Sequence, residues 1–187
     1  KSSYPAINLH ALSPEEIWHI ARTSELPLEP TIRRLVTAGM DSIPGGGAEI
    51  LDDEVRRRIA PLKCSTDEWL TVMRTAHQVG LKSTATLMFG VGEEPRHRVN
   101  HLNRLRDLQD RTQGFTAFIC WPFQKPNTNL ERKVPKSSGA HEHLKTLAVG
   151  RLFLDNFDHV QASWVTQGPK IGQLALEFGC DDMGSIM

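Results

Sequence analysis

Cysteine is nearly missing. Cys64, Cys120 and Cys180 are the only three in 187 residues, and they lie far apart. No local Cys-x-x-Cys metal or redox motif can form, and the odd count points to a reducing, cytoplasmic setting. The plain reading of the three is free, buried thiols. No apolar run approaches the roughly 18 residues of a membrane span. A surplus of charge is absent too: 22 Lys+Arg face 22 Asp+Glu. That balance argues against nucleic acid or an anionic membrane as partner. Hydrophobic residues at 39% and charged residues at 24% are ordinary, which excludes disorder, collagen and coiled coil.

What is present is regular punctuation. A short strand-like run covers Asn8–Leu12, and Ser13-Pro14-Glu15-Glu16 reads as a helix start with cap, proline and capping glutamate. A second helix is expected over about 29–38, and Met40–Ile43 as a strand with Pro44-Gly45-Gly46-Gly47 as its exit loop. Ser65-Thr66-Asp67-Glu68 is another capping box. It leads the apolar stripe Trp69, Val72, Met73, Ala76, and Gly80 ends that helix. Lys82–Phe89 and Phe115–Trp121 read as strands, with a helix from Pro95 to about Gln113 between them. A polar loop covers 122–139, a helix about 141–155, a strand Val160–Thr166 and a helix 169–178. The start of a last strand covers Met183–Met187.

Six strands alternating with helices imply parallel crossovers. A doubly wound sheet and a (β/α)8 barrel both fit. The spacing of about 35 residues, taken eight times, gives about 280, near the ~250 of a barrel. Six units would be three-quarters of one. No linker marks a second domain, so 1–187 reads as a single, incomplete barrel. The chain opens on Lys1 and stops at Met187, so a longer parent protein is expected.

In either architecture chemistry sits at the C-terminal strand ends. Those ends hold His10, the Pro44–Glu49 segment, Gly90–Glu93, Trp121–Gln124, Gln161–Gln167 and Asp181–Ser185. Three successive glycines allow a ligand to approach the main chain, or simply make a flexible exit. They match no nucleotide-binding fingerprint. Glu49 is either a hydrogen-bond acceptor for a ligand or a solvated first-turn acid. His97 and His101, four apart, and His141-Glu142-His143 read as solvated helix faces rather than metal ligands. His10 is a pocket base or a core histidine. Trp121 and Trp164 either stack a planar ligand or fill the core.

Together these segments resemble a known family. Asp41-Ser42-Ile43-Pro44-Gly45-Gly46-Gly47-Ala48-Glu49-Ile50-Leu51 is similar to the radical S-adenosylmethionine enzymes of the futalosine menaquinone pathway and their deazaflavin-synthesis relatives. Ser83–Gly90, Gly114–Ile119, Trp121-Pro122-Phe123-Gln124 and Gln161-Ala162-Ser163-Trp164-Val165-Thr166-Gln167-Gly168-Pro169-Lys170 extend the likeness. Within the family the last stretch most resembles the dehypoxanthine futalosine cyclases. The aminofutalosine synthases are the close competitor and a deazaflavin-synthase-like enzyme a further alternative, and Val91-Gly92-Glu93 leans toward the cyclases.

The resemblance implies a partial radical-type barrel beginning near its third strand. It implies S-adenosylmethionine and a [4Fe-4S] cluster as cofactors and a small-molecule substrate. A 5′-deoxyadenosyl radical would take hydrogen from the substrate ribose before ring closure. A flavodoxin- or ferredoxin-type reductant would supply electrons. The cluster's Cys-x-x-x-Cys-x-x-Cys loop is not in this sequence, so its ligands are expected upstream of Lys1, with no metal ligand in this chain. By the same resemblance Gly45, Gly46, Gly47 and Glu49 would contact S-adenosylmethionine, with Glu49 accepting from ribose or amino groups. One of Thr84 and Thr86 would face it. His10, Glu93, Trp121, Gln124, Ser163, Trp164 and Gln167 would line the substrate pocket. Two other classes stay open: a phosphate-binding barrel without a cluster, and a non-catalytic binding barrel.

Overall fold

The computed structural model describes residues 1, 3–134 and 138–184. Its elements in order are α1 (Pro14–Thr23), α2 (Leu28–Thr37), β1 (Ser42–Ile43), α3 (Asp53–Ile59), α4 (Thr66–Gln78) and β2 (Lys82–Phe89). Then follow α5 (Pro95–Thr112), β3 (Phe115–Pro122), α6 (Ala140–Phe153), β4 (His159–Gln161), α7 (Trp164–Gln167) and α8 (Pro169–Glu177). Both expected capping boxes form: the Ser13 N–H donates to Glu16 at 2.7 Å and the Ser65 N–H to Glu68 at 2.7 Å.

The sheet is parallel and runs β1-β2-β3-β4. Bridges at His10–Ser42 and Gln161–Asp182 add one parallel neighbour at each edge. Six strand positions therefore stand side by side in chain order. A doubly wound sheet reverses its order at a switch point, and no reversal occurs here. The winding is that of a barrel wall.

Strand alternation sorts the two faces. Ala85, Leu87 and Phe89 of β2, Phe118 and Cys120 of β3 and Val160 of β4 pack outward under the helices, in one core with Trp69, Val72, Leu105 and Leu147. Phe118 lies so close to α6 that a Cβ on Gly150 would sit 2.8 Å from its ring. Thr84, Thr86 and Met88, in register with Ala117, Ile119 and Trp121, alternate onto the opposite, inner face.

Three expectations are corrected. The Val160–Thr166 strand stops at Gln161, and Trp164–Gln167 is a helical turn that ends at Gly168 with φ +83°. Met183–Met187 adds no strand in the described part; its edge bridge is at Asp182, and 185–187 lie outside the described residues. His97, His101 and His143 are buried, not solvated. His97 and His101 share a helical stripe with Leu105 and Leu108, so α5 turns them to the core.

Buried histidines make a pH prediction. Thr112 gives its hydroxyl proton to the Leu108 carbonyl and so accepts from His77 Nδ1 at 2.8 Å. His77 Nε2 then accepts from Ser83 at 2.7 Å. Burial, helped by Lys82, pushes His77 down to about 4. Burial, with Arg56 and Arg104 nearby, pushes His101 down to about 3. Both rings are neutral in the fold but gain a proton when unfolded. Their stability contribution is complete above about pH 6.5 and is lost as pH falls toward 4. Urea unfolding at pH 5 should show about 2 kcal/mol less stability for each ring than at pH 7.5. Equal values at the two pH values would contradict the assignment.

Candidate functional site

The glycine segment is the exit loop of β1, as its sequence predicts. β1 leaves the ladder after Ile43, yet the chain stays beside β2. The Gly45 N–H donates to Thr84 Oγ1 at 2.9 Å, the Gly45 carbonyl accepts from Thr86 Oγ1, and the Glu49 carbonyl accepts from Met88 N–H at 2.8 Å. Residues 44–49 thus form a turn-containing loop pinned against β2. Thr84 accepts from the Gly45 N–H and Thr86 donates to its carbonyl, so both hold the segment.

Packing explains two of the three glycines. A Cβ on Gly45 would meet the Thr84 carbonyl oxygen at 2.6 Å. One on Gly47, at φ +77°, would meet Glu15 Cγ at 2.4 Å. Gly46 is different: its nearest neighbour would be Ser13 Cβ at 3.7 Å, ordinary contact. Its carbonyl accepts from the buried Trp69 indole at 3.2 Å. Glu49 closes the segment in a left-handed conformation, φ +46°, with its carboxylate paired to Lys63.

Arg56 of α3 escaped the sequence reading. Its guanidinium side chain is 3% exposed. It donates to the carbonyls of Gly47 (3.0 Å), Ala48 and Cys64 (3.1 Å), and pairs with Glu15 at 3.0 Å. The other Glu15 oxygen accepts the Cys64 N–H at 2.8 Å. α3 is seven residues with three consecutive arginines and no long apolar stripe, so periodicity had little to detect.

The remaining candidates divide. Trp121, Ser163 and Trp164 come together, with Ile119, Gln161 and Met183, around a hollow of about 300 Å³. Trp121 is in register with Met88, whose N–H bonds Glu49, so the glycine segment and this hollow share one rung of the sheet. Two strand spacings separate them, about 10 Å. Gln124 and Gln167 do not line the hollow; their amides donate to the Pro122 and Thr166 carbonyls at 2.8 and 3.0 Å.

Glu93 turns into its own loop. Its side chain is 1% exposed and accepts from the N–H groups of Gly90 and Val91 and from Arg98 at 2.7 Å. Burial alone would raise its carboxyl, but those donors outweigh it and hold it below the ordinary range. Glu93 therefore shapes the loop after β2 and offers no free oxygen to a substrate.

His10 lies at the sheet edge. Ser42 Oγ donates to Asn8 Oδ1 at 3.2 Å, so it accepts from His10 Nδ1 at 2.7 Å. That chain fixes the tautomer and leaves Nε2 as an acceptor. Partial burial lowers the ring below its ordinary pKa.

The described residues differ in their fit to the two expected cofactors. A carboxylate at Glu49 beside open backbone at Gly46 suits a ligand carrying amino or hydroxyl donors, as S-adenosylmethionine does. A [4Fe-4S] cluster does not fit. The three cysteines are buried on separate elements, and burial pushes the Cys64 and Cys180 thiols up to about 12 and Cys120 upward as well. Among the described residues one set of potential metal ligands gathers, Asp52, Glu54 and His97, with atoms within 4.8 Å. His97 Nδ1 accepts the Glu94 N–H at 2.9 Å, which leaves the neutral ring's proton on Nε2, facing Glu54 at 3.3 Å. Arg96 holds the same Glu54 carboxylate at 3.1 Å. The group is an ion-pair cluster with its donor atoms already used. No helix among the described residues is long and apolar enough to cross a membrane.

Residues 112–187 match the CofH/MqnC C-terminal region. The chain is 46% identical over its whole length to cyclic dehypoxanthine futalosine synthase of Halalkalibacterium halodurans, covering 50% of that protein. It is 43% identical over its whole length to 5-amino-6-(D-ribitylamino)uracil–L-tyrosine 4-hydroxyphenyl transferase of Methanothermobacter thermautotrophicus, covering 52%. It is 40% identical, again over its whole length, to aminodeoxyfutalosine synthase of Thermus thermophilus, covering 51%. The chain thus spans about half the length of these relatives. Among solved structures, HydG, a maturase of the [FeFe]-hydrogenase, superposes with TM-score 0.66 at 15% identity, over 94% of this chain and 36% of its own. Methylornithine synthase (PylB) does so with TM-score 0.66 at 19% identity, over 90% of this chain and 50% of its own. The fold is part of a (β/α)8 barrel, and residues 112–187 place that stretch of the chain in the CofH/MqnC C-terminal family.

Proposed function

We propose that this chain is part of a radical S-adenosylmethionine enzyme that cyclises dehypoxanthine futalosine in menaquinone formation. The observation that carries the reading is the 46% identity, along the entire chain, to a cyclic dehypoxanthine futalosine synthase. The geometry supports it. Glu49 and the Gly46 backbone would hold S-adenosylmethionine, and the Trp121–Ser163–Trp164 hollow about 10 Å away would take a planar acid and its sugar. When bound, S-adenosylmethionine supplies the radical chemistry. The residues here bind, orient and exclude water. The cluster ligands would come from sequence before Lys1, and a flavodoxin- or ferredoxin-type protein would reduce the cluster.

A second reading is aminofutalosine synthesis, favoured by the 40% identity to the Thermus thermophilus enzyme. One experiment separates the two. The reading frame containing this chain is expressed whole and reconstituted anaerobically with iron and sulfide. It is then given S-adenosylmethionine with either dehypoxanthine futalosine or the synthase substrate. Release of 5′-deoxyadenosine with cyclic product from the first substrate alone is expected. Turnover of only the second would replace the cyclase by the synthase. No Cys-x-x-x-Cys-x-x-Cys in the frame and no 5′-deoxyadenosine with either would overturn both.

A further inference from the structure

We propose that Arg56 is a positioning residue that sets the Gly47–Glu49 backbone, and with it the Glu49 carboxylate, for the ligand Glu49 receives. This inference rests on the proposed binding of S-adenosylmethionine at Glu49.

The argument begins with a buried charge. Burying an ion pair is costly, and well-packed apolar residues often serve stability as well or better. Stability is therefore a poor reason for the Arg56–Glu15 pair, with side chains 3% and 18% exposed. What the guanidinium holds is more telling. Gly47 and Ala48, whose carbonyls it bonds, directly precede Glu49. Cys64, whose carbonyl it also bonds, directly follows Lys63. Glu49 and Lys63 are the two members of one ion pair. A single planar group thus fixes the backbone behind both.

Glu49 needs such support. A non-glycine residue at φ +46° persists when its surroundings over-determine it. Thr84 and Thr86 anchor the segment at Gly45, and Met88 anchors the Glu49 carbonyl. Between those points Trp69 holds the Gly46 carbonyl and Arg56 holds those of Gly47 and Ala48. Glu15 orients the guanidinium from α1 and also takes the Cys64 N–H. Lysine, a point charge with three donors on a flexible stem, cannot reproduce this fork.

The test uses the complete enzyme and S-adenosylmethionine itself. Arg56→Lys, Glu15→Gln, Glu49→Gln and the Arg56→Lys/Glu49→Gln pair are compared by anaerobic titration calorimetry, steady-state 5′-deoxyadenosine release and thermal unfolding. Arg56→Lys should raise Kd and KM for S-adenosylmethionine about tenfold or more, with kcat within about threefold. In the Glu49→Gln background the same change should shift Kd less than about twofold, because Arg56 acts through Glu49. Glu15→Gln, which keeps shape and the Cys64 contact, should reproduce part of the effect and serves if Arg56→Lys does not fold. Wild-type Kd in the folded Arg56→Lys or Glu15→Gln protein, or fully additive losses in the pair, would overturn the role. A wild-type enzyme that does not bind S-adenosylmethionine would instead remove the functional reading beneath it.

Discussion

Glu49→Gly in the complete enzyme should cut 5′-deoxyadenosine release by at least about a hundredfold while leaving the unfolding temperature unchanged or slightly higher. The two effects have separate causes. Glu49 occupies the left-handed region at φ +46°, which glycine adopts freely. Removing that strain is worth roughly 1 kcal/mol or more. The ion pair with Lys63 is lost, but Lys63 is 37% exposed and such pairs contribute little. Function should move the other way. Hydrogen bonds from a ligand to a carboxylate are worth about 1.5–3 kcal/mol each, so losing two costs about two to four orders of magnitude. Assays of 5′-deoxyadenosine and differential scanning fluorimetry on one preparation decide it. Wild-type release by a folded Glu49→Gly protein would sink the assigned role.

The glycines provide the second large effect. Gly45→Ala should destabilise the protein by about 1–3 kcal/mol, the usual cost of overpacking a fixed site. The obstacle is backbone: the Thr84 carbonyl oxygen at 2.6 Å and Ala85 Cα at 3.0 Å. Neither can rotate away, so the edge must part from β2 and carry Glu49 with it. Gly46→Ala, one residue on, should leave stability near wild type, because its new methyl meets only ordinary contact. Any loss of S-adenosylmethionine affinity in Gly46→Ala then reports a ligand close to the main chain. Denaturant midpoints and Kd values for both variants test this. Equal midpoints for the two would show that the tight approach at Gly45 carries no weight.

The regular elements were legible because their signals are local. Lys82–Phe89 and Phe115–Trp121 are β-prone runs that each begin just after a glycine, and the structure has strands over Lys82–Phe89 and Phe115–Pro122. The two capping boxes start α1 and α4 as their spacing requires. The misreadings arise where tertiary contact decides. Ser163-Trp164-Val165-Thr166 looks β-prone, yet the Gly168-Pro169 turn lets it coil into α7. His143 looks solvated among polar neighbours, but it shares a stripe with Leu147 and Gly150 and stacks near Phe89. That stripe was available to the reader of the sequence. The site was legible as a set of segments, not as contacts. Which glycine is crowded and which meets only ordinary contact depends on Thr84 and Glu15, 39 and 32 residues away in sequence. Arg56 could not be singled out among Arg56, Arg57 and Arg58 until α3 turned it inward while exposing the other two.

Among the described residues every strand bonds only its neighbours along the chain, from the His10 edge through β1, β2, β3 and β4 to Asp182. Order of synthesis and order of assembly therefore coincide. Each newly emerged strand finds its template already in place, and the loop to be closed is one strand–helix unit long. A wall of this kind can zip on the ribosome from the amino-terminal side. Stalling translation once Gly90 has cleared the exit tunnel should leave β1 and β2 already paired, with Phe115 onward still to emerge and dock.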